Sequence, residues 1–362
     1  MAKKKIRIKK KNIILIAVAL IIILLGVILV QSYISSSEKG ENNKTNIIKK
    51  AVEKITEKEK KVKVIDVSSD KRPYAVMINN NEAVWTYQSG LNDAYIVYEL
   101  LTEGGIPREL AVFQKRDVPK IQSIRSSRHY FLDYSLENDA VYVHWGWSPQ
   151  AETEISYTGV DGVSIDNLNG LSGEGLYFFR DSTVNAAYEH TGYTTGEAIQ
   201  NGIKAYGYRN TTESKPLLNY SIEPLDLSSM ENVRDAIKVE APFSWYYTAK
   251  FNYNSETKLY EKTQNNTEMY DYTSKKRITT KNIIIYEVGY STIDDYGRQT
   301  LSNLGTGTGY FISEGKAVPI TWEKSSRSAR TIYKFENGEE LKVNDGKTSL
   351  ELVPYGASII ME

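Results

Sequence analysis

The chain has 362 residues, with 45 Lys and Arg against 45 Asp and Glu and no cysteine. The lack of thiols excludes disulfides, thiolate metal sites, a cysteine nucleophile and lipid attachment to cysteine. The neutral total hides an asymmetry: seven basic residues and no acid precede Ile13, so the chain after Val30 carries −7, which argues against nucleic-acid binding.

Residues Ile13 to Val30 are eighteen consecutive apolar residues without charge or proline. A run of this length spans a bilayer as one helix, and the preceding Lys3, Lys4, Lys5, Arg7, Lys9, Lys10 and Lys11 place its amino end in the cytoplasm. Residues 1–37 are therefore read as a cytoplasmic basic segment and transmembrane anchor, with the bulk of the chain extracytoplasmic on a single-pass protein. A cleaved signal peptide competes. Its apolar region is usually shorter and ends at a small-x-small site, for which Ser35 and Ser37 are poor candidates. Glu38 to Lys63 is polar and charged and reads as a stalk. Its Ile48, Val52 and Ile55 sit at helical spacing.

From residue 64 the pattern predicts a mixed α/β domain reaching about residue 215. Tyr74 to Ile78 reads as a buried strand feeding the polar turn Asn79-Asn80-Asn81. Asp93 to Leu101 places Ala94, Val97, Tyr98 and Leu101 on one helical face, with Asn92 or Asp93 as cap and Gly104-Gly105 as stop, so that Glu99 and Glu103 share a face. Arg108 to Gln114 is a strand, Ser126 to Leu136 a helix, Ala140 to His144 a strand, and Trp145 to Pro149 a turn.

Residues 216–362 read as a smaller, β-rich second domain. Phe243 to Tyr253 alternates aromatic and polar residues. Asn282 to Val288, Gly309 to Ile312, Ala317 to Glu323, Thr331 to Phe335 and Leu350 to Val353 are short strands, separated by turns such as Asn337-Gly338 and Asp345-Gly346. Gly305-Thr306-Gly307-Thr308-Gly309 lacks the Lys-Ser/Thr ending of a phosphate loop and reads as a turn. The fold class is thus α+β: an N-terminal transmembrane helix, a mixed α/β domain and a β-rich domain.

The polar chemistry gathers in the first domain. All three histidines, His129, His144 and His190, lie there. Arg108, Arg125, Arg128 and Arg180 offer planar forks suited to carboxylate or phosphate. The structural alternative pairs them with Glu99, Glu103, Asp133 and Asp139. Gln88 and Ser89 sit in a glycine turn. Trp145 and Trp147 straddle Gly146, where one ring could stack on a sugar or both could pack beneath a loop. Glu103 borders a glycine turn and is the better candidate acid, with His144 or His190 as its partner. No HExxH spacing and no G-x-S-x-G elbow occurs, and neither a metal nor a cofactor is expected.

The stretches RPYAVMINN, YQSGLNDAYIVYELLTEGGIPRELAVFQ, IQSIRSSRHYFLDYSLENDAVYVHWGWSPQA and LYFFRD, followed by KNIIIYEVGYSTID, GTGTGYFISEGKAVPITWEK and ELVPYG, resemble the YerB-like family of bacterial envelope proteins. The likeness runs from Arg72 to the end, with the family's C-terminal domain from about residue 240. It implies architecture and outward placement without an established activity. Many members of that family carry a lipidation cysteine where this chain has the apolar run. Members read His-Asn where this chain has His190-Thr191, which alters any contact made by that amide. The abundance of Lys, Ile and Asn suits a low-GC Gram-positive bacterium. The expected function is a membrane-anchored extracytoplasmic binding or regulatory protein that recognises an anionic wall polymer or an envelope protein. The alternatives are a cell-wall hydrolase or transferase and an envelope scaffold docking through its β-rich domain.

Overall fold

Buried runs of β-branched and aromatic residues set the architecture. The computed structural model describes residues 62–362. The expected anchor Ile13–Val30 and nearly all of the expected stalk lie outside the described residues. Among the described residues no helix is long and apolar enough to cross a membrane. The main strands are β1 (Tyr74–Asn79), β2 (Ile96–Leu101), β3 (Pro107–Phe113), β4 (Val141–His144), β5 (Asn167–Asn169), β6 (Lys238–Ser244), β7 (Tyr247–Asn254), β8 (Leu259–Gln264), β9 (Asn282–Thr292), β10 (Gly305–Ser313), β11 (Lys316–Lys324), β12 (Ile332–Phe335) and β13 (Thr348–Pro354). The longer helices are α1 (His129–Glu137) and α2 (Gly196–Ala205).

A 12-stranded sheet runs in the order Arg234–Asp235, β11, β10, β9, β13, β2, β3, β1, β4, β5, with Gln299–Ser302 on β9 and β12 on β11. β13 enters between β2 and β9, so both halves of the sequence build one sheet. β9, β13 and β2 are parallel, and so are β1, β4 and β5. β3 is antiparallel to both β2 and β1, so both groups point the same way and their carboxyl ends form one edge. One face of the sheet buries Met77, Tyr98 and Leu110 against Tyr130, Phe131 and Tyr134 of α1. The other buries Val76, Val97 and Ala111 with Ile199 and Ile203 of α2 and with Val239, Phe251 and Tyr260 of a second sheet. That second sheet is six-stranded and centred on β6, β7 and β8.

Three local expectations change. Asp93 to Leu101 is not a helix: Ile96 to Leu101 is β2, flanked on both sides and buried on both faces, which suits its β-branched and aromatic residues better than a helical stripe. The helix expected from Ser126 begins only at His129, because the backbone of Arg125 and Ser127 bonds Met77 and Gly146 instead. Gly305 to Gly309 is the start of β10 rather than a turn. A Cβ at Gly307 would lie 2.6 Å from the Trp322 indole, and one at Gly309 2.5 Å from the Ile285 carbonyl, so these glycines serve close packing.

In register across β3, β2 and β13 stand Glu109, Glu99 and Glu351. All are fully buried towards the second sheet. Lys262 Nζ, from β8, donates to Glu99 Oε2 at 2.7 Å and to Glu109 Oε1 at 2.5 Å. Gln264 Nε2 adds a bond to Glu99 at 3.1 Å, and Ser349 donates to Glu351 at 2.6 Å. One ammonium cannot balance three carboxylates out of water. Burial, with the charge of Glu99, therefore raises Glu351 well above its ordinary 4.5 and keeps its proton on.

Lys262→Met should cost about 3–5 kcal/mol in urea unfolding, the usual effect of stripping one partner from a buried pair. Glu351, with its folded pKa raised, stabilises the fold fully below 4.5, and that contribution is lost as pH rises through the folded value. Glu351→Gln copies the protonated form. Its melting temperature relative to wild type should climb as pH rises above 4.5 towards the raised folded value. A difference that ignores pH would show that Glu351 is ionised in the fold.

Candidate functional site

Ligands of open α/β sheets bind outside the carboxyl ends of parallel strands. In this chain that edge is crossed by the segment Ser123–Ser127. Arg125 N donates to Met77 O at 3.0 Å, Trp145 N to Arg125 O at 3.0 Å, and Ser127 N to Gly146 O at 2.9 Å, which ties the segment to the ends of β1 and β4. Arg128 then stands at the N-cap position of α1 without a side-chain capping bond, leaving its guanidinium for Glu103. Glu103 follows β2 in a tight turn in which Gly104 and Gly105 adopt φ of 70° and 71°, a region that disfavours a side chain.

These placements bring together Glu103, Arg108, Arg125, Arg128 and His190. Arg128 grips Glu103 with a fork: Nε donates to Oε2 at 2.9 Å and Nη2 to Oε1. Arg108 Nη2 reaches Glu103 Oε1 at 3.3 Å, and its Nη1 donates to Ser126 O at 2.5 Å. Burial alone would raise the Glu103 pKa. The hydrogen bonds from Arg128 and the charge of Arg108 outweigh it and hold the group at about 2. Glu103 is therefore an ionised brace near neutrality.

Arg125 differs from its neighbours. It is half-buried, and its hydrogen bond from Nη1 goes to the carbonyl of Glu189 at 3.3 Å. Among the described residues it makes no ion pair. Burial works against its charge, Glu189 and Glu103 favour it, and Arg128 opposes it. Next to it, Asn79 Nδ2 donates to His190 Nδ1 at 2.8 Å, which places the imidazole proton on Nε2. Burial, then the charge of Arg125, lowers the His190 pKa and keeps the ring neutral.

The other candidates from the sequence are buried or engaged in packing, two of them, Trp145 and Arg180, beside the same segment. His144 is fully buried, with Nδ1 on Gly146 O at 2.8 Å and Nε2 on Asn167 Oδ1 at 3.1 Å, and burial pulls its pKa to about 4. Trp145 is 8% exposed, so its ring is no free platform. Gly170 and Gly192 make room for it, and Arg180 stacks on it at 3.7 Å and on Tyr188 at 4.2 Å while pairing with Glu174. Gln88 is buried, donating to Asn79 O at 2.8 Å and to Glu109 at 3.1 Å. Ser89 bonds Thr273 at 2.8 Å. Of the acids offered as brace partners, Glu103 takes Arg108 and Arg128, Asp139 takes Arg209 and Arg72, Asp133 takes Arg327, and Glu99 takes Lys262. Among the described residues no three His, Asp or Glu are grouped to hold a metal ion.

The sequence reading missed two contributors to this edge. Asn79 had been seen only as part of a turn. The second-sheet hairpin brings Tyr246 against Gly105, two residues from Glu103.

Glu103→Gln should lose about 2 kcal/mol at neutral pH, because two guanidiniums lose their counter-charge. Its folded pKa is lowered, so the carboxylate contributes above 4.5 and its contribution is lost as pH falls towards about 2. The gap between mutant and wild type in urea unfolding should therefore narrow on acidification. A gap of constant size would mean that the charge of Glu103 is not what braces the turn.

Residues 61–209 match the N-terminal domain, and residues 239–349 the C-terminal domain, of a family described as protein of unknown function, DUF3048. Over 286 residues the chain is 29% identical to "Putative lipoprotein YerB" of Bacillus subtilis (strain 168), covering 79% of this chain and 82% of that one. The crystal structure of the YerB protein from Bacillus subtilis is similar with a TM-score of 0.68 at 28% identity, over 81% of this chain and 94% of that chain.

Proposed function

The chain belongs to the DUF3048 family, and from that premise we propose that it is an envelope-anchored extracytoplasmic binding protein whose edge arginines hold an anionic group of a wall polymer. One observation carries the reading. Arg125 stands half-buried beside Arg108 and Arg128 without an ion pair of its own among the described residues, while Glu103 is consumed by the other two. A guanidinium already partly desolvated and fixed by its backbone loses little on meeting phosphate or carboxylate.

Two further points support it. The name of the Bacillus relative denotes a lipoprotein, and this chain, lacking cysteine, has the apolar run Ile13–Val30 behind a basic flank. Lipid and helix are alternative means to the same external tether. The hydrolase alternative asks Glu103 for a proton that Arg128 and Arg108 oppose, and needs as its partner either His144, whose ring nitrogens are both engaged, or His190, whose Nδ1 is taken by Asn79.

The test uses the full chain in detergent with isolated Gram-positive cell walls, before and after acid extraction of their phosphate polymers. Arg125→Ala should lower the fraction that pellets by about tenfold with an unchanged melting temperature. Arg128→Ala should lose both binding and stability, because it releases Glu103. Undiminished pelleting of Arg125→Ala would overturn the reading, and so would release of soluble wall fragments that depends on Glu103.

A further inference from the structure

Trp245 is 94% exposed at the turn between β6 and β7. A tryptophan so bare is unusual, since large aromatics are normally well buried. It is not loosely held. Tyr246 braces its ring edge-on at 4.7 Å between centroids. Asn265 Nδ2 donates to the Tyr246 carbonyl at 3.0 Å, and Thr248 N donates to Asn265 Oδ1 at 2.9 Å, so the turn is pinned from the turn that follows β8.

The turn also has a defined neighbour. A Cβ at Gly105 would stand 3.1 Å from the Tyr246 hydroxyl and 3.1 Å from Ser244 Cβ. The hairpin thus seats on the same glycine turn that presents Glu103 to Arg128 and Arg108. A third ring comes from the loop after β9. Tyr296 is 69% exposed, and Gly297, beside it, would place a Cβ 4.0 Å from that of Glu103. Asp294 fixes this loop by accepting from Tyr296 N at 3.1 Å and from Arg298 N at 3.0 Å. Arg298 covers one side of the Tyr296 ring at 4.4 Å.

We propose that this edge is a binding platform for an acidic saccharide chain: Trp245, with Tyr296 from the second loop, stacks on sugar rings while Arg125 takes the carboxylate or phosphate those sugars carry. This rests on the anion reading above and names its substrate class. The electron-rich faces of the rings attract the polarised C–H faces of a pyranose, as they attract other positive edges. A protein partner is less suited, since a stable protein interface needs a contiguous apolar centre. This edge instead offers separated aromatic planes among charges and glycine turns. Rings from two different loops beside one set of cations, with Tyr296 close enough to act on the charge of Arg125, suit a polymer that carries both flat and charged units.

The experiment measures binding by isothermal titration calorimetry for wild type and every variant, with the full chain held in zwitterionic nanodiscs so that vesicles stay intact, and follows Trp fluorescence of wild type beside it. Trp85, Trp145 and Trp322 are buried and Trp147 is half-buried, so Trp245 dominates any change on contact. The probes are soluble peptidoglycan strands, a sugar-free poly(glycerol phosphate), neutral chitin oligomers, and vesicles containing phosphatidylglycerol. The acidic glycan should change the emission and bind wild type. Trp245→Ala, at an exposed position that leaves the fold intact, should bind it about tenfold more weakly, and so should Arg125→Ala. The sugar-free phosphate polymer should bind Trp245→Ala as it binds wild type. If Arg125→Ala weakens the glycan and Trp245→Ala does not, the saccharide platform fails and the anion reading stands. If neither variant matters, both fail. If vesicles alone engage Trp245, the tip is a membrane contact and the platform is overturned. If neutral chitin binds as tightly as the acidic strands, the part given to Arg125 is overturned.

Discussion

Lys262 is the contact on which the rest of this structure depends. Three neighbouring strands present Glu109, Glu99 and Glu351 in one buried row, and a single ammonium from the second sheet enters between the first two. Carboxylates this far from water repel each other strongly unless paired or protonated. The second sheet is therefore held by charge as well as by the apolar packing of Val239, Phe251 and Tyr260. The same row fixes the loop after β1. Asn80 Nδ2 donates to Glu99 at 2.8 Å, and Gln88 joins Glu109 to the carbonyl of Asn79. Asn79 in turn orients His190 beside Arg125. A chain of hydrogen bonds thus runs from the centre of the molecule to the candidate edge, and the edge inherits its rigidity from that centre.

Sheet topology explains why this edge collects residues so distant in sequence. β13 comes almost last in the chain, yet it pairs between β2 and β9. Because β9, β13, β2 and β1 share one direction, their following loops emerge together. Glu103 after β2, Asn79 at the end of β1 and Tyr296 after β9 become neighbours of one surface for that reason. Arg125 and Arg128 arrive by a different device, an extended segment sewn across the strand ends by backbone bonds.

Much of this was legible in residue patterns. β1, β3, β4 and the five short strands of the second half follow apolar runs bounded by turn residues, and the arginine cluster stood out as repeated forks beside small residues. The failures have physical causes. DAYIVYELL satisfies a helical stripe and a doubly buried strand equally, and only the flanking strands decide between them. Glu99 was misplaced with it, since a buried strand was not expected to carry a carboxylate. Glycines at 305, 307 and 309 suggest a turn until Trp322 is seen lying against one of them. Stacking on a sugar and packing beneath a loop both fit the turn around Trp145, and Gly170 and Gly192 open the slot that decides for packing. Lys262 and Trp245 gave no local sign. Their importance comes from partners 153 and 163 residues away for the lysine, and from a docking contact with a distant glycine turn for the tryptophan hairpin.

The charge distribution reconciles the net-acidic chain after Val30 with the anionic ligand proposed for it. Net charge governs solubility and long-range approach, while recognition is decided within a Debye length of the contact. At this edge three guanidiniums stand against Glu103, which two of them neutralise, and against Glu189, which offers Arg125 its carbonyl. Two guanidiniums sharing one carboxylate keep one positive charge there, and Arg125, whose fork is least engaged, adds a second beside Glu189. The acids that dominate the total are spent elsewhere, in ion pairs such as Asp139 with Arg209 and Glu314 with Lys281, or in the buried row. An anion docking at Arg125 therefore meets a local field of the opposite sign to the whole. Screening by salt would strip away the distant acids before it touched the near guanidinium, so binding there is less salt-sensitive than the net charge alone implies.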